Sequence, residues 1–119
     1  MRENWIYRRG DIYMANLNPF KGSEQGGTRP VVVLQNDIGN FYCPTLIVAP
    51  LTSRLEKNEL PTHYRVRRAK NLPAKSIVLL EQIKTIDKQR IKHYLGKLPL
   101  DEMREVDKLM RISLGLFYK

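Results

Sequence analysis

The stretch KGSEQGGTRPVVVLQND, residues 21–37, changes character halfway, and that change decides the fold. Its first half is polar and glycine-rich, with Gly22, Gly26 and Gly27 around Ser23, Glu24 and Gln25. Its second half, Val31-Val32-Val33-Leu34, is apolar, mostly β-branched and without alternation. A run of that length and kind reads as a strand covered on both faces, central in its sheet. Pro30 suits the first position of such a strand, where a ladder donor is dispensable. Arg29 stands between the halves, biased towards extended backbone by the proline that follows it. A guanidinium is thereby tied to the mouth of a stiff strand, beside a loop whose glycines allow close approach of backbone donors to a ligand.

Before this stretch, residues 11–17 alternate as a strand after the turn Arg9-Gly10, and Asn18-Pro19 opens a loop that runs to Thr28. After it, residues 37–40 read as a turn, and residues 45–51 read as a third strand that leaves through Thr52-Ser53. Residues 56–61 read as a polar loop and residues 63–67 as a weakly alternating fourth strand. Residues 76–82 read as a fifth, continued past a bend by 84–86, and residues 94–97 as a short last strand. Then the period changes. Met103, Val106, Met110 and Phe117, with Leu109, Ile112, Leu114 and Leu116, recur at helical spacing, and Asp101-Glu102 places negative charge where the helix dipole favours it. Strands first and one long helix last predict a single α+β domain over residues 1–119, with an antiparallel sheet or small barrel.

The chain has 119 residues, with 21 Lys and Arg against 12 Asp and Glu, a net charge of +9. Such a field attracts polyanions, nucleic acid first among them. Seven bases and two acids fall in residues 54–75, and five bases and one acid in residues 84–97, so the basic surface belongs to the sheet and its loops. The single cysteine, Cys43, excludes an internal disulfide and fits a reducing compartment. The first residues carry no apolar signal core, and no run approaches the roughly 20 apolar residues of a membrane span. A cytoplasmic protein without a membrane partner is expected.

His63, His93 and Cys43 lack the spacing of a metal site, so neither metal nor cofactor is expected. The glycine loop lacks GxxxxGK[ST] and precedes a strand, unlike a nucleotide-binding loop. Arg29 suits a phosphate, or else an ion pair with Glu24 or Glu81. His63 reads as a strand surface residue, with an acid–base role as the less favoured alternative. Thr52 and Ser53 offer hydroxyls, or else cap a turn. If the second and third strands pair as an antiparallel hairpin, the start of one lies beside the end of the other. Arg29 then neighbours Thr52, with residues 22–28 above them.

The blocks RRGDIYMANLNPFKGSEQGGTRPVVVLQND, TLIVAPLTS, LPTH and VLLEQIKTIDKQRI agree in order and spacing with one pattern. From about Arg9 to Ile91 the chain closely resembles the MazF/PemK family of toxin endoribonucleases. The resemblance implies an SH3-like small antiparallel β-barrel with a long C-terminal helix, acting as a homodimer. It also implies metal-independent, sequence-specific cleavage of single-stranded RNA, and a MazE-like antitoxin that occupies the RNA groove. On the matching positions, Arg29 is the catalytic residue and Thr52 its companion. Ser23, Glu24, Gln25, Gly26, Ser53, Glu81 and Gln82 are the candidate RNA contacts, with no metal ligand among them. Related toxins of this architecture act on a protein such as DNA gyrase, so a non-catalytic module is the alternative.

Overall fold

The computed structural model describes residues 6–54, 60–69, 71–73 and 75–116. Its elements are β1 (Asp11–Asn16), β2 (Thr28–Val33), α1 (Asp37–Tyr42), β3 (Thr45–Thr52), β4 (His63–Arg65), β5 (Ile77–Leu79), β6 (Lys84–Asp87), β7 (Ile91–Lys97) and α2 (Leu100–Ser113). Short 3₁₀ turns occupy Leu80–Gln82 and Lys88–Arg90. The seven strands make one sheet in the order β4-β5-β3-β2-β1-β7, with β6 also on β3, and the pairs are antiparallel throughout the described residues. This is the expected α+β architecture.

The triple valine explains the arrangement. Val31 and Val33 pack with Tyr13, Leu46, Val48 and Ile86 on one side of the sheet. Val32 packs with Ile12, Leu51, Val78, Met103 and Val106 on the other. All three valines are 0% exposed, so β2 is covered on both faces as its composition requires. Burying a valine side chain fully contributes roughly 1.5–3 kcal/mol. The long β3 lies beside β2 and is shared along its other edge. Its first half, Thr45 to Val48, pairs with β6, and Leu51 and Thr52 pair with β5.

The structure departs from the sequence reading in three places. Residues 37–42 are a short helix, not a turn, because the Asn36 side chain accepts from the Gly39 N–H and caps it. The bend after β5 is the 3₁₀ turn Leu80–Gln82, which lifts Glu81 and Gln82 off the strand. The last strand begins at Ile91, earlier than read, and pairs with β1 through two register irregularities. Most of the loop read at 56–61, and Phe117, lie outside the described residues.

Helix α2 buries Met103 and Val106, and Leu109 and Met110 pack partly against the same cluster. Ile112, Leu114 and Leu116 are about half exposed, so only the first part of the apolar stripe covers the sheet. Near the helix end Ser113 Oγ donates to the Leu80 carbonyl at 2.6 Å, bracing the 3₁₀ turn from behind. Among the described residues, no helix is long and apolar enough to cross a membrane.

The acid at the helix start has a second use. Glu102 is 0% exposed, and its carboxylate accepts from Tyr64 Oη at 2.7 Å and from the Arg67 and Arg68 backbone N–H groups at 2.7 and 3.0 Å. It thereby ties the segment after β4 to α2. Burial and the hydrogen bond to Glu102 push the Tyr64 phenol up to about 12. The fold holds the neutral phenol. The stability it confers is therefore complete below about pH 10 and is lost as pH rises through the raised value. Urea unfolding at pH 9 and pH 11 is expected to show a decline that Tyr64→Phe reduces. An undiminished decline in the variant would assign the alkaline loss to other groups.

Candidate active site

The β2–β3 ladder pairs Val33 with Val48, Val32 with Ala49 and Val31 with Pro50. Carried two residues further, that register sets Arg29 opposite Thr52. Thr52 pairs in turn with Ile77 of β5, and Ile77 with Arg65 of β4. One row across four strands thus begins at Arg29 and ends at a second, exposed arginine.

Arg29 is half-buried, and its Nε donates to the Gly26 carbonyl at 2.7 Å. That bond orients the guanidinium through Nε, while the terminal NH₂ groups carry four further donors. Thr52 is buried, and its hydroxyl accepts from the Arg54 N–H at 3.1 Å and lies 3.2 Å from the Arg54 carbonyl. The hydroxyl is thus seated in a local turn at the strand exit, with Ser53 exposed beside it.

The loop between β1 and β2 is closed at its base. The Leu17 N–H donates to the Gly27 carbonyl, and the Gly27 N–H to Asn18 Oδ1, each at 2.9 Å. Gly27 has φ +76°, which a side chain would disfavour. Arg90 donates to the Asn16 carbonyl at 3.1 Å and also to the Asn18 carbonyl. Higher up, Gln82 Oε1 accepts from the Gln25 N–H and Gln82 Nε2 donates to the Ser23 carbonyl, both at 3.3 Å. Amide and loop backbone thus read each other in both directions.

The carboxylates have their own partners. Glu24 Oε1 accepts from the Lys21 N–H at 2.9 Å. Glu81 accepts from Thr62 Oγ1 at 3.0 Å and from His63 Nε2 at 2.9 Å. His63 Nδ1 accepts from the Leu60 N–H at 3.0 Å, which leaves the ring proton on Nε2, facing Glu81. The ion pair from Arg29 to Glu24 or Glu81 that the sequence allowed is replaced by these contacts. The His63 side chain is only 6% exposed and is bonded through both ring nitrogens, so it is a structural clamp and not a surface residue.

Of the residues singled out from sequence, hydrogen bonds join Arg29 to Gly26, and Gln82 to Ser23 and Gln25. Thr52 and Ser53 stand at the exit of β3, where Thr52 bonds Arg54, and Glu24 and Glu81 hold their separate partners. Asn18 and Arg90 were not singled out. Arg90 meets its loop partners across 74 and 72 positions, a separation that leaves no local signal. Part of the basic stretch is also spent elsewhere: Arg67 and Arg68 pair with Asp101 on α2. Lys57 and Lys70 of the same stretch lie outside the described residues.

Known proteins repeat this plan. The crystal structure of MazF (Form-I) from Deinococcus radiodurans is 26% identical and superposes with a TM-score of 0.80, over 94% of this chain and 99% of that one. MazE–MazF (Form-II) from the same organism is 25% identical with a TM-score of 0.76, over 96% and 100%. An endoribonuclease in complex with its cognate antitoxin from mycobacterial species shares the fold at 21% identity, TM-score 0.79, over 95% and 99%. The sequence profile of the PemK-like, MazF-like toxins of type II toxin–antitoxin systems matches residues 8–114. With nearly the whole described chain inside that match, the protein belongs to this toxin family.

Proposed function

We propose that this toxin is an endoribonuclease that cuts single-stranded RNA at short recognition sequences without a metal, by attack of a ribose 2′-hydroxyl on the adjacent phosphate. The observation that supports the reading is the antiparallel β2–β3 register, paired as far as Val31 and Pro50; continued two residues it brings Arg29 level with Thr52, beside the glycine loop. In this step the 2′-oxygen bonds to phosphorus, the bond from phosphorus to the 5′-oxygen breaks, and the proton lost from the 2′-oxygen is balanced by one gained at the 5′-oxygen. The products are a 2′,3′-cyclic phosphate and a 5′-hydroxyl. Nucleophile and target are tethered in the substrate, so positioning supplies much of the advantage. Arg29 stabilises the charge growing on the phosphorane oxygens, and Thr52 re-aims its hydroxyl from Arg54 to a non-bridging oxygen. The proton carrier is drawn from Glu24, Glu81 and His63, of which Glu81 and His63 are bonded to each other and Glu24 to the Lys21 N–H.

Splayed bases are read by the edges of Gln25, Glu81, Gln82 and the loop backbone around Ser23 and Gly26, with Ser53 at the border. The chain works as a homodimer in the cytoplasm, where its messages are. Exposed Ile38, Phe41 and Tyr42 on α1, with the apolar end of α2, supply surface for self-association. A MazE-like antitoxin is the partner, a reading that the Deinococcus radiodurans MazE–MazF complex and the mycobacterial antitoxin complex support, and it occupies the RNA groove in this proposal.

Incubation of purified toxin with a long RNA in EDTA, followed by mapping of both new ends, tests the reading. Discrete cuts ending in cyclic phosphate and 5′-hydroxyl are expected. Binding without cutting would return the protein to the non-catalytic alternative. Thr52→Val keeps the side-chain shape and removes the hydroxyl. It is expected to slow single-turnover cleavage roughly tenfold, about one hydrogen bond to a charged group, with RNA affinity little changed. An unchanged rate would remove Thr52 from the mechanism.

A further inference from the structure

The loop between β1 and β2 carries a large apolar side chain for which the fold has no evident use. Phe20 is 52% exposed, on a stretch whose neighbours Lys21, Gly22, Ser23 and Glu24 are exposed and polar or small. Its ring is nevertheless seated. A Cβ built on Gly26 would fall 1.9 Å from Phe20 Cδ1, 2.3 Å from Cγ and 2.6 Å from Cε1. The aromatic ring therefore lies against the Gly26 α-carbon, in space that only glycine leaves open. The same Gly26 receives the Arg29 Nε donor through its carbonyl at 2.7 Å. One residue thus supports both an exposed aromatic ring and the guanidinium of the candidate active site.

We propose that Phe20 is a stacking platform for a nucleobase of the bound RNA, next to the nucleotide whose phosphate Arg29 holds. The inference rests on the RNA-cleaving reading and extends it to a binding residue. Three observations point to a base as the occupant. The ring is backed on one side by the loop and half exposed. The glycine it rests on also holds, through its carbonyl, a cation suited to the phosphate of a neighbouring nucleotide. The chain carries a net charge of +9, which favours a polyanion over an apolar peptide. Every base presents a π-face, so the platform contributes affinity and register with little base preference, while hydrogen bonds from Gln25 and Gln82 discriminate. Gly26 then has a steric reason for its place in the loop: any side chain there displaces the ring.

The test is a cycle between protein and substrate. The wild-type cut site is mapped first. Single-turnover cleavage and affinity are then measured for wild type, Phe20→Ala, Phe20→Leu and Phe20→Trp. The substrates carry one abasic ribose at successive positions flanking the cut. Phe20→Ala is expected to weaken binding of intact RNA by about fivefold to a hundredfold, Phe20→Leu by nearly as much, and Phe20→Trp is expected to restore it. At one position flanking the cut, removal of the base should abolish the difference between wild type and Phe20→Ala. A loss that persists equally on every abasic substrate would mark Phe20 as a support for the loop and overturn the proposal. So would cleavage and binding by Phe20→Ala equal to wild type, and that result would leave the nuclease reading intact. A wild-type protein that cuts no RNA would instead remove the reading and the platform together.

Discussion

Arg29→Ala is expected to lower the single-turnover rate of RNA cleavage about a thousandfold while the protein stays folded. The size follows from the task. Loss of one preorganised donor to a developing oxyanion costs roughly 10²–10³ in rate, and Arg29 also supplies a full positive charge. The fold should survive because Arg29 is half-buried at the start of β2 and its Nε bond goes to a loop carbonyl. The valines that anchor the strand begin two residues later. Arg29→Lys separates charge from geometry. An ammonium keeps the charge but lacks the planar fork that meets both Gly26 and a phosphate. It should recover RNA affinity and remain roughly a hundredfold slow. The readouts are cleavage rate, affinity for a substrate blocked at the 2′-position, and thermal unfolding. Wild-type cleavage by Arg29→Ala, from a preparation free of other nucleases, would falsify the assignment.

Glu102→Ala is expected to be the most destabilising single change in the described structure that leaves the active-site residues themselves untouched. The carboxylate is fully buried and serves three donors, Tyr64 Oη and two backbone N–H groups. Removing it leaves those donors without their acceptor and opens a hole at the start of α2. Each buried unsatisfied donor costs roughly 1–3 kcal/mol, not additively. A total near ~3 kcal/mol is expected, on the order of 10 °C in Tm for a chain of this size. Glu102→Gln keeps an oxygen for Tyr64 and Arg67 but turns an NH₂ towards the Arg68 N–H. It should lose about half as much. Chemical denaturation of the three proteins checks the order, and equal stability of Glu102→Ala and wild type would sink the claim. The two arginines flanking the carboxylate, each with Nε 3.9 Å away, lie near the surface and adapt more readily than the buried donors.

What could be read from sequence follows from the range of the forces involved. β2 was legible because covering both faces demands an unbroken apolar run, and Val31, Val32 and Val33 supply one. The antiparallel pairing of β2 with β3 was legible because consecutive strands leave little freedom in which ends meet. α1 was not. Six residues with a central glycine show no helical period, and the deciding contact is one Asn36 side-chain bond. β7 was shortened because Lys92, His93 and Tyr94 are exposed and give no alternation. Glu102 looked like a dipole partner for the helix. Its burial depends on Tyr64, 38 positions away, and on the backbone after β4. The His63–Glu81 clamp likewise spans 18 positions and uses residue types that are ordinary on a surface.

The bond from Ser113 to the Leu80 carbonyl has a consequence for synthesis. Every strand precedes α2 in the chain, and 33 positions separate the two partners. At ordinary translation speeds that interval is roughly two to seven seconds. Throughout it, the Leu80 carbonyl is without its Ser113 donor, and the turn is held only by its bonds to earlier segments. The turn that carries Glu81 and Gln82 therefore gains this brace only after the whole sheet has been synthesised.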